Sequence, residues 1–243
     1  MSQSLKNAVA IVTGGSKGYG TGIAKALKNA GAAVWITGRD EKALNAVAKK
    51  LGVQAIKADV ASGKDWDKVF AAALKARKRV DILVNNAGAG IRIAPTAEQT
   101  DESIETAIAV NLTGAILGCR RAARVMKKQK AGTIVNISSV CALYAWPGWS
   151  IYTAAKAGLN HFGHGLYTEL RPYGVRVTTL TPSWGATEFG NAAGLPPRDA
   201  ATSKKCIQPL ELGELVVQIC SQPAHLAIPD LTLQPLVQDI CPM

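Results

Sequence analysis

Tyr152 and Lys156 are the residues whose types and spacing most directly suggest chemistry. They stand four positions apart in the stretch WSIYTAAKAGLNHF, residues 149–162. On a helix that spacing places both side chains on one face. A phenol with a pKa of about 10 is a poor acid–base group at neutral pH, and a neighbouring ammonium lowers that pKa. The pair therefore predicts an acid–base tyrosine activated by a lysine, although a surface helix with a solvated lysine fits the same spacing.

The elements that must position this pair follow from the hydrophobic pattern of the chain. Apolar segments rich in β-branched residues alternate with segments of helical period. Strands are predicted at 8–13, 32–37, 53–58, 80–86, 132–138, 175–181 and 231–236. Helices are predicted at 18–30, 41–51, 64–77, 98–129 (interrupted near Asn111), 151–171 and 210–221. This alternation predicts one α/β domain over residues 1–243, a doubly wound Rossmann-type fold with a mostly parallel, seven-stranded sheet and helices on both faces.

A glycine-rich loop joins the first predicted strand to the first helix. It reads TGGSKGYG over residues 13–20, with glycines at 14, 18 and 20. Glycine allows a tight turn and a close approach of the backbone to a pyrophosphate, and the helix N-terminus supplies N–H donors. The spacing differs from the commoner G-x-G-x-x-G fingerprint of dinucleotide sites. The loop nevertheless predicts a phosphate-binding turn at the carboxyl end of the sheet.

Four motifs together resemble those of the short-chain dehydrogenase/reductase family. They are the glycine loop, NNAG at 85–88, Ser139 and the Y-x-x-x-K pair at 152–156, and the resemblance is clearest from about residue 6 to 190. The family's order and spacing are kept, and Tyr19 stands where isoleucine is usual. The resemblance implies a cofactor half at about 6–130 and a catalytic and substrate half at about 131–243.

The resemblance also implies a catalytic set of Asn111, Ser139, Tyr152 and Lys156. Tyr152 would exchange the proton, Ser139 would orient the carbonyl, and Asn111 would hold a water that relays protons to Lys156. Lys156 would also hold the nicotinamide ribose. Ser138 is the alternative serine, but adjacent strand residues face opposite ways, so only one of the two enters the site.

The expected cofactor is NADP(H). The second strand ends in WITGRD, where Gly38 replaces the acidic residue of NAD-using members and Arg39 follows. Arg39 and Lys17 suit a 2′-phosphate, and Asp40 is expected to cap the next helix. The complete set of expected cofactor contacts is Gly14, Ser16, Lys17, Gly18, Tyr19, Gly20, Arg39, Asp59, Val60, Asn86, Ala87, Gly88, Tyr152, Lys156, Pro182 and Thr187. Asn85 is expected either to stabilise the sheet or to bond neighbouring backbone.

The substrate side is expected to be aromatic. Its candidates are Trp146, Trp149, Trp184 and Phe189, with core packing as the alternative for some of them. Ser183 stands where the family has glycine, which puts the path of this loop in doubt because serine tolerates a positive φ poorly. We name residues 188–206 the lid segment and predict that it forms a short mobile lid on the substrate side. Arg92 is a candidate for a substrate carboxylate, but a solvated loop arginine is the simpler interpretation.

The net charge of +11 admits nucleic acid, anionic membranes or anionic ligands as partners. The basic clusters at 75–79 and 120–130 coincide with predicted helix ends, where cations are favoured. They accompany no nucleic-acid-binding motif and no apolar run long enough for a membrane span. We therefore expect a small carbonyl or alcohol substrate, no nucleic acid and no membrane. A homotetramer or homodimer through helices 98–129 and 151–171 is implied by the resemblance.

The cysteines and histidines suggest neither disulfides nor metal. Cysteines stand at positions 119, 141, 206, 220 and 241 without a CxxC pair. Together with a first segment that lacks a signal-peptide pattern, they favour a reducing cytoplasm. His161 and His164 have no evident acidic or cysteine partner and are interpreted as structural, and Cys141 as a packing residue.

The function expected from these features is an NADPH-dependent carbonyl reductase or alcohol dehydrogenase with Tyr152 as general acid/base. A 3-oxoacyl-type or 3-hydroxy-acid reductase is the enzymatic alternative. A non-catalytic cofactor sensor or nucleic-acid-binding regulator is the alternative from another class. The substrate itself cannot be identified from the chain.

Overall fold

A single parallel sheet forms the centre of the computed structural model, which describes residues 3–88 and 92–238. Its strands are β1 (Val9–Thr13), β2 (Ala33–Gly38), β3 (Gln54–Lys57), β4 (Ile82–Asn85), β5 (Gly132–Ile137), β6 (Val175–Pro182) and β7 (Asp230–Leu233). They run in the order β3-β2-β1-β4-β5-β6-β7, and every pair is parallel. The predicted doubly wound fold is confirmed, and the sheet is parallel throughout. The strand order reverses at β1 and β4, where such folds bind ligands.

Helices cover both faces of the sheet. They are α1 (Gly18–Asn29), α2 (Glu41–Leu51), α3 (Gly63–Arg77), α4 (Asp101–Ile108), α5 (Gly114–Gln129), α6 (Ser150–Leu170), α7 (Phe189–Ala192), α8 (Ala200–Lys205) and α9 (Pro209–Cys220). Residues of β1 alternate between two cores: Ala10 and Val12 pack beneath α1, α2 and α9, and Val9 and Ile11 beneath α3, α5 and α6. Burial on both faces explains why this strand is an uninterrupted apolar run.

The long helical stretch predicted at 98–129 is divided in two. A π-helical turn, Ala109–Thr113, separates α4 from α5 and contains Asn111. The predicted interruption near Asn111 is therefore confirmed. The predicted start at 98 is early, because Thr100 caps α4 by accepting a hydrogen bond from the Ser103 amide.

Two negative findings concern the described part of the chain. No helix in it is long and apolar enough to cross a bilayer. Its four cysteines, Cys119, Cys141, Cys206 and Cys220, are buried free thiols. Cys241 lies outside the described residues.

Candidate active site

The predicted site residues meet in one cleft of about 650 Å³ at the carboxyl ends of the strands. It runs from the loop after β2, past the glycine loop, to the loops after β5 and β6. All but two of the predicted residues line it. Gly20 does not: it is buried in α1, where a Cβ would come 2.1 Å from the Gly14 carbonyl oxygen. Gly20 thus packs against the Gly14 backbone, and its expected contact with a cofactor stays a prediction. The second residue, Asn111, is buried behind the residues that line the cleft.

The glycine loop has the backbone that its sequence predicts. Gly14 and Gly18 adopt φ values of 66° and 51°, which residues with a Cβ rarely adopt. The Thr187 side chain closes over Gly18, so that a Cβ there would lie 3.3 Å from it. α1 begins at Gly18 without a side-chain cap and without an acidic residue in its first turn. Its N-terminal N–H groups are thus available to an anion.

Thr13, which sequence reasoning missed, joins the glycine loop to the loop after β4. Its hydroxyl oxygen accepts hydrogen bonds from the Asn86 and Ala87 amides, both at 3.0 Å. The Asn86 side chain donates back to the Thr13 carbonyl at 2.8 Å. Asn85, by contrast, points into the sheet and donates to the Asn136 side chain. Of its two expected roles, the sheet-stabilising one matches the geometry.

Two cations flank the end of the cleft beyond β2. Lys17 and Arg39 are exposed cleft residues, and neither has a carboxylate within ion-pair distance among the described residues. Asp40 caps α2 by accepting a hydrogen bond from the Ala43 amide at 3.0 Å, as the sequence predicts. Asp59 likewise accepts from the Ala61 amide. Val60 is fixed through its carbonyl, which accepts from the Trp66 indole.

Ser139, Tyr152 and Lys156 lie at the other end of the cleft, Ser139 half-buried and the other two buried. Tyr152 is 7% exposed and Lys156 is 3% exposed. The Ser139 side chain lies close enough to the Tyr152 hydroxyl to affect the pKa of that group. Ser138 faces away, because its hydroxyl donates to the Asn160 side chain on α6. The strand alternation thus selects Ser139 as the serine in the cleft.

The lowered pKa that the sequence predicts for Tyr152 is wrong for this structure. Burial raises the pKa of Tyr152 above its ordinary value, and the nearby Ser139 side chain only partly opposes this. Lys156 Nζ donates to the Ile137 carbonyl at 2.9 Å and lies 5.6 Å from the centroid of the Tyr152 ring. Burial also lowers the pKa of Lys156 to about 8. Desolvation is thus the main influence on both groups, and Tyr152 stays protonated at neutral pH.

Asn111 approaches this cluster from the π-helical turn. It is buried, and its side-chain nitrogen donates to the Ala107 carbonyl at 2.9 Å. A Cβ at Gly88 would lie 3.1 Å from Asn111 Oδ1 and 3.8 Å from Lys156 Nζ. Asn111 and Lys156 thus reach the same side of Gly88. Gly88 has no side chain and therefore leaves the space beside Asn111 and Lys156 open.

The aromatic candidates form one aromatic wall of the cleft, and two of them contact Tyr152. Trp146, Trp149, Trp184 and Phe189 all line the cleft, so none of the four is a core residue alone. The Trp149 and Phe189 ring centroids lie 5.8 Å and 5.6 Å from that of Tyr152. Arg92 lies outside the cleft lining, and its guanidinium donates to the Glu98 carbonyl.

The model of the short chain dehydrogenase family matches residues 8–195. The chain belongs to the short-chain dehydrogenase family. Among relatives of this dehydrogenase, an uncharacterized oxidoreductase of Staphylococcus aureus (strain USA300) is 31% identical over 235 residues, covering 96% of this chain and 99% of the relative. One of Staphylococcus saprophyticus is 32% identical over 244 residues, with the same coverage.

Solved structures resemble this short-chain dehydrogenase over almost their whole length. The closed form of serine dehydrogenase complexed with NADP⁺ has a TM-score of 0.87 at 28% identity and covers 97% of this chain and 98% of its own. A metagenomic short-chain oxidoreductase in complex with NADP has a TM-score of 0.82 at 30% identity, covering 97% and 100%. The 3-ketoacyl-(acyl-carrier-protein) reductase from Brucella melitensis complexed with NADH has a TM-score of 0.87 at 29% identity, covering 96% and 99%.

The structure accommodates both departures from the family motifs that this dehydrogenase carries. The Tyr19 side chain extends beneath Gly185, where a Cβ would come within 2.2 Å of its hydroxyl oxygen. Ser183 is not among the residues with positive φ. Its hydroxyl and the Trp184 amide both donate to the Gln238 side chain. Gln238 lines the cleft and was missed by sequence reasoning, because it lies 54 or more residues from its partners.

His161 and His164 lie on the exposed part of α6 and do not line the cleft. His164 Nε2 is 2.8 Å from Asp230 Oδ1 of β7, so the expectation that it has no acidic partner is wrong. The partner is remote in sequence and is brought near by the β6–β7 pairing. Within the described residues, no group of three or more potential ligands could hold a metal ion.

Proposed function

We propose that the protein is an NADPH-dependent carbonyl reductase that interconverts a ketone or aldehyde and an alcohol. The observation that carries this proposal is that Ser139 and the buried Tyr152 and Lys156 line the same cleft as the glycine loop. One end of the cleft can thus hold a dinucleotide, while the other holds a proton donor.

The residues of the cleft fit NADP(H). Its volume of about 650 Å³ is in the range of cofactor sites. The left-handed Gly18 leaves the backbone open beside the N-terminus of α1, and at the far end Lys17 and Arg39 supply cations that have no ion-pair partner in the described part of the chain. Two of the three similar structures are complexes with NADP or NADP⁺, and one is a complex with NADH. The bound cofactor would supply a hydride to the carbonyl carbon.

Tyr152 would donate the proton that the carbonyl oxygen needs during reduction. Its raised pKa keeps the hydroxyl protonated at neutral pH, which is the form required for reduction. Ser139 would orient the carbonyl oxygen by hydrogen bonding. Lys156 would hold the ribose and, with Asn111 on the same side of Gly88, would return a proton to Tyr152. The aromatic wall would keep water from the reacting atoms.

Replacement of Tyr152 tests this proposal. Tyr152→Phe should lower kcat for NADPH-dependent reduction by about 100-fold or more, because it removes the donor and keeps the ring. NADPH binding, measured by calorimetry, should change little. The matched control is Tyr144→Phe, because Tyr144 packs edge-on against Trp146 and does not line the cleft. Turnover of Tyr152→Phe near the wild-type level would refute the proton-donor role.

A panel of carbonyl compounds separates this function from its alternatives. Wild-type protein should oxidise NADPH with free ketones or aldehydes, whether or not they carry a carboxylate. A strong preference for 3-oxoacyl thioesters would instead favour a 3-oxoacyl-type reductase, the kind of enzyme that the similar Brucella structure represents. No turnover, together with salt-sensitive binding of DNA or RNA, would favour a regulator. We also propose a homotetramer or homodimer through α4, α5 and α6, which sedimentation analysis would test.

A further inference from the structure

Arg198 is a charged cleft residue that the reaction described above does not use. It lies in the lid segment between α7 and α8, and its side chain returns to the cleft. The guanidinium carbon is 4.5 Å from the centroid of the Trp184 ring, a stacking distance. Nη1 donates to the Gly185 carbonyl at 3.2 Å. Trp184 therefore stacks on the flat face of the guanidinium, and Gly185 accepts a hydrogen bond from one of its nitrogens.

Arg198 has no ionic partner among the residues that the structure describes. None of the ion pairs within the described residues includes it. Asp40 and Asp59, two of the cleft carboxylates, accept hydrogen bonds from nearby backbone amides at the far end. Glu188, the third carboxylate, lies over the glycine loop, where a Cβ at Gly18 would be 3.7 Å from its Oε2. Arg198 thus brings a positive charge to the aromatic end of the cleft.

A stacked guanidinium is suited to a carboxylate. Its planar donors match the two oxygens of that group, and the indole fixes the plane in which they point. We propose that Arg198 binds a carboxylate of the substrate, so that the substrates are oxo acids and the corresponding hydroxy acids. This inference rests on the proposed function, because it places the carbonyl of the same molecule against Tyr152.

A phosphate of the cofactor is the alternative anion that Arg198 could bind in place of a substrate carboxylate. Tyr19 of the glycine loop packs beneath Gly185, whose carbonyl accepts the Arg198 hydrogen bond. The aromatic surroundings of Arg198 favour the substrate, since Lys17 and Arg39 already serve the polar end of the cleft. The experiment must nevertheless separate the two anions.

Binding of an unreactive dicarboxylate tests the subsite without turnover. Calorimetry should measure the Kd of glutarate and malonate for the protein loaded with NADP⁺. Arg198→Met should weaken binding about 10- to 100-fold, and Arg198→Lys less, because lysine keeps the charge but not the paired donors. Arg92→Met is the matched control and should leave the Kd unchanged. Equal dicarboxylate affinity of wild type and Arg198→Met, or a loss with Arg92→Met alone, would overturn the assignment.

Turnover of acids and esters then separates a binding role from a structural one. The probes are acetoacetate and levulinate, each compared with its methyl ester. Arg198→Met should lower kcat/KM for the acids about 10- to 100-fold more than for the esters. Equal losses would mean that Arg198 only shapes the lid segment, and a weakened NADPH Kd alone would assign it to a cofactor phosphate. Absence of turnover with every carbonyl would refute the proposed function, while the dicarboxylate titration would still decide the subsite.

Discussion

At the scale of single residues, the site is governed by the desolvation of Tyr152 and Lys156. Burial favours the neutral form of each side chain, which raises one pKa and lowers the other. A helix can place a tyrosine and a lysine one turn apart anywhere on its surface. What makes this pair suited to proton transfer is its removal from water next to Ser139.

The lowered pKa of Lys156 predicts a pH-dependent stability. Its folded pKa of about 8 lies below the ordinary value of 10.5, so the unfolded chain holds a proton that the folded chain releases between these values. Stability therefore rises with pH across that window. Between pH 7.5 and 9.5, cofactor-free wild type should gain about 2 kcal/mol in unfolding free energy relative to Lys156→Met, measured by urea denaturation.

Lys25→Met is the control for that measurement, because Lys25 is exposed on α1. It should show the same pH dependence as wild type. If Lys156→Met also follows wild type across the window, Lys156 is not the titrating group. The window closes near pH 10, above which the raised pKa of Tyr152 makes stability fall.

Cofactor preference is the second property decided by single residues. Arg39→Ala should raise the Kd for NADPH about 10-fold and leave that for NADH nearly unchanged, because it removes a charged contact to the 2′-phosphate. Lys17→Ala should act in the same direction. Fluorescence titration with both nucleotides checks this, and equal weakening of NADH would show that these side chains do not select the phosphate.

At the scale of elements, two glycines allow α1 to pack directly against α9. A Cβ at Gly22 would lie 1.9 Å from the Pro209 carbonyl oxygen at the start of α9, and one at Gly213 would lie 2.5 Å from the Gly22 carbonyl oxygen. The two helix backbones are therefore in direct contact. This contact fixes the direction of α1, whose first turn follows the glycine loop.

Gly22→Ala should lower the free energy of unfolding by about 1–3 kcal/mol, because α1 and α9 must separate to admit a methyl group. The matched control is Gly165→Ala in α6, where no atom lies within 4 Å of an added Cβ. That change should stabilise the protein by about 0.5–1 kcal/mol, since alanine favours a helix. Thermal and urea unfolding measure both, and equal effects would contradict the packing argument.

At the scale of the whole molecule, the net charge of +11 acts on any anion that approaches the cleft. Lys17 and Arg39 are exposed, so salt should screen their attraction for a 2′-phosphate. Raising NaCl from about 50 to about 500 mM should weaken NADPH binding by a factor of about 3 more than NADH binding. Titrations at both salt concentrations test this, and parallel curves would show that the phosphate does not meet these cations.

The sequence by itself determined the order of strands and helices, the glycine loop, the break at Asn111 and the Asp40 cap. These features are encoded by neighbours in the chain, through hydrophobic period, capping and the φ freedom of glycine. The sequence also placed Ser139, Tyr152 and Lys156 near strand and helix ends that a parallel sheet brings together.

Only the tertiary structure decided the state and the surroundings of those residues. Sequence spacing carries no information about desolvation, so it predicted a lowered pKa for Tyr152 where burial raises it. The Thr13 clamp, the Gln238 contact, the His164–Asp230 pair and the fit of Tyr19 beneath Gly185 each join residues far apart in the chain. Such contacts arise only when the sheet closes, because parallel strands bring distant chain segments to one edge.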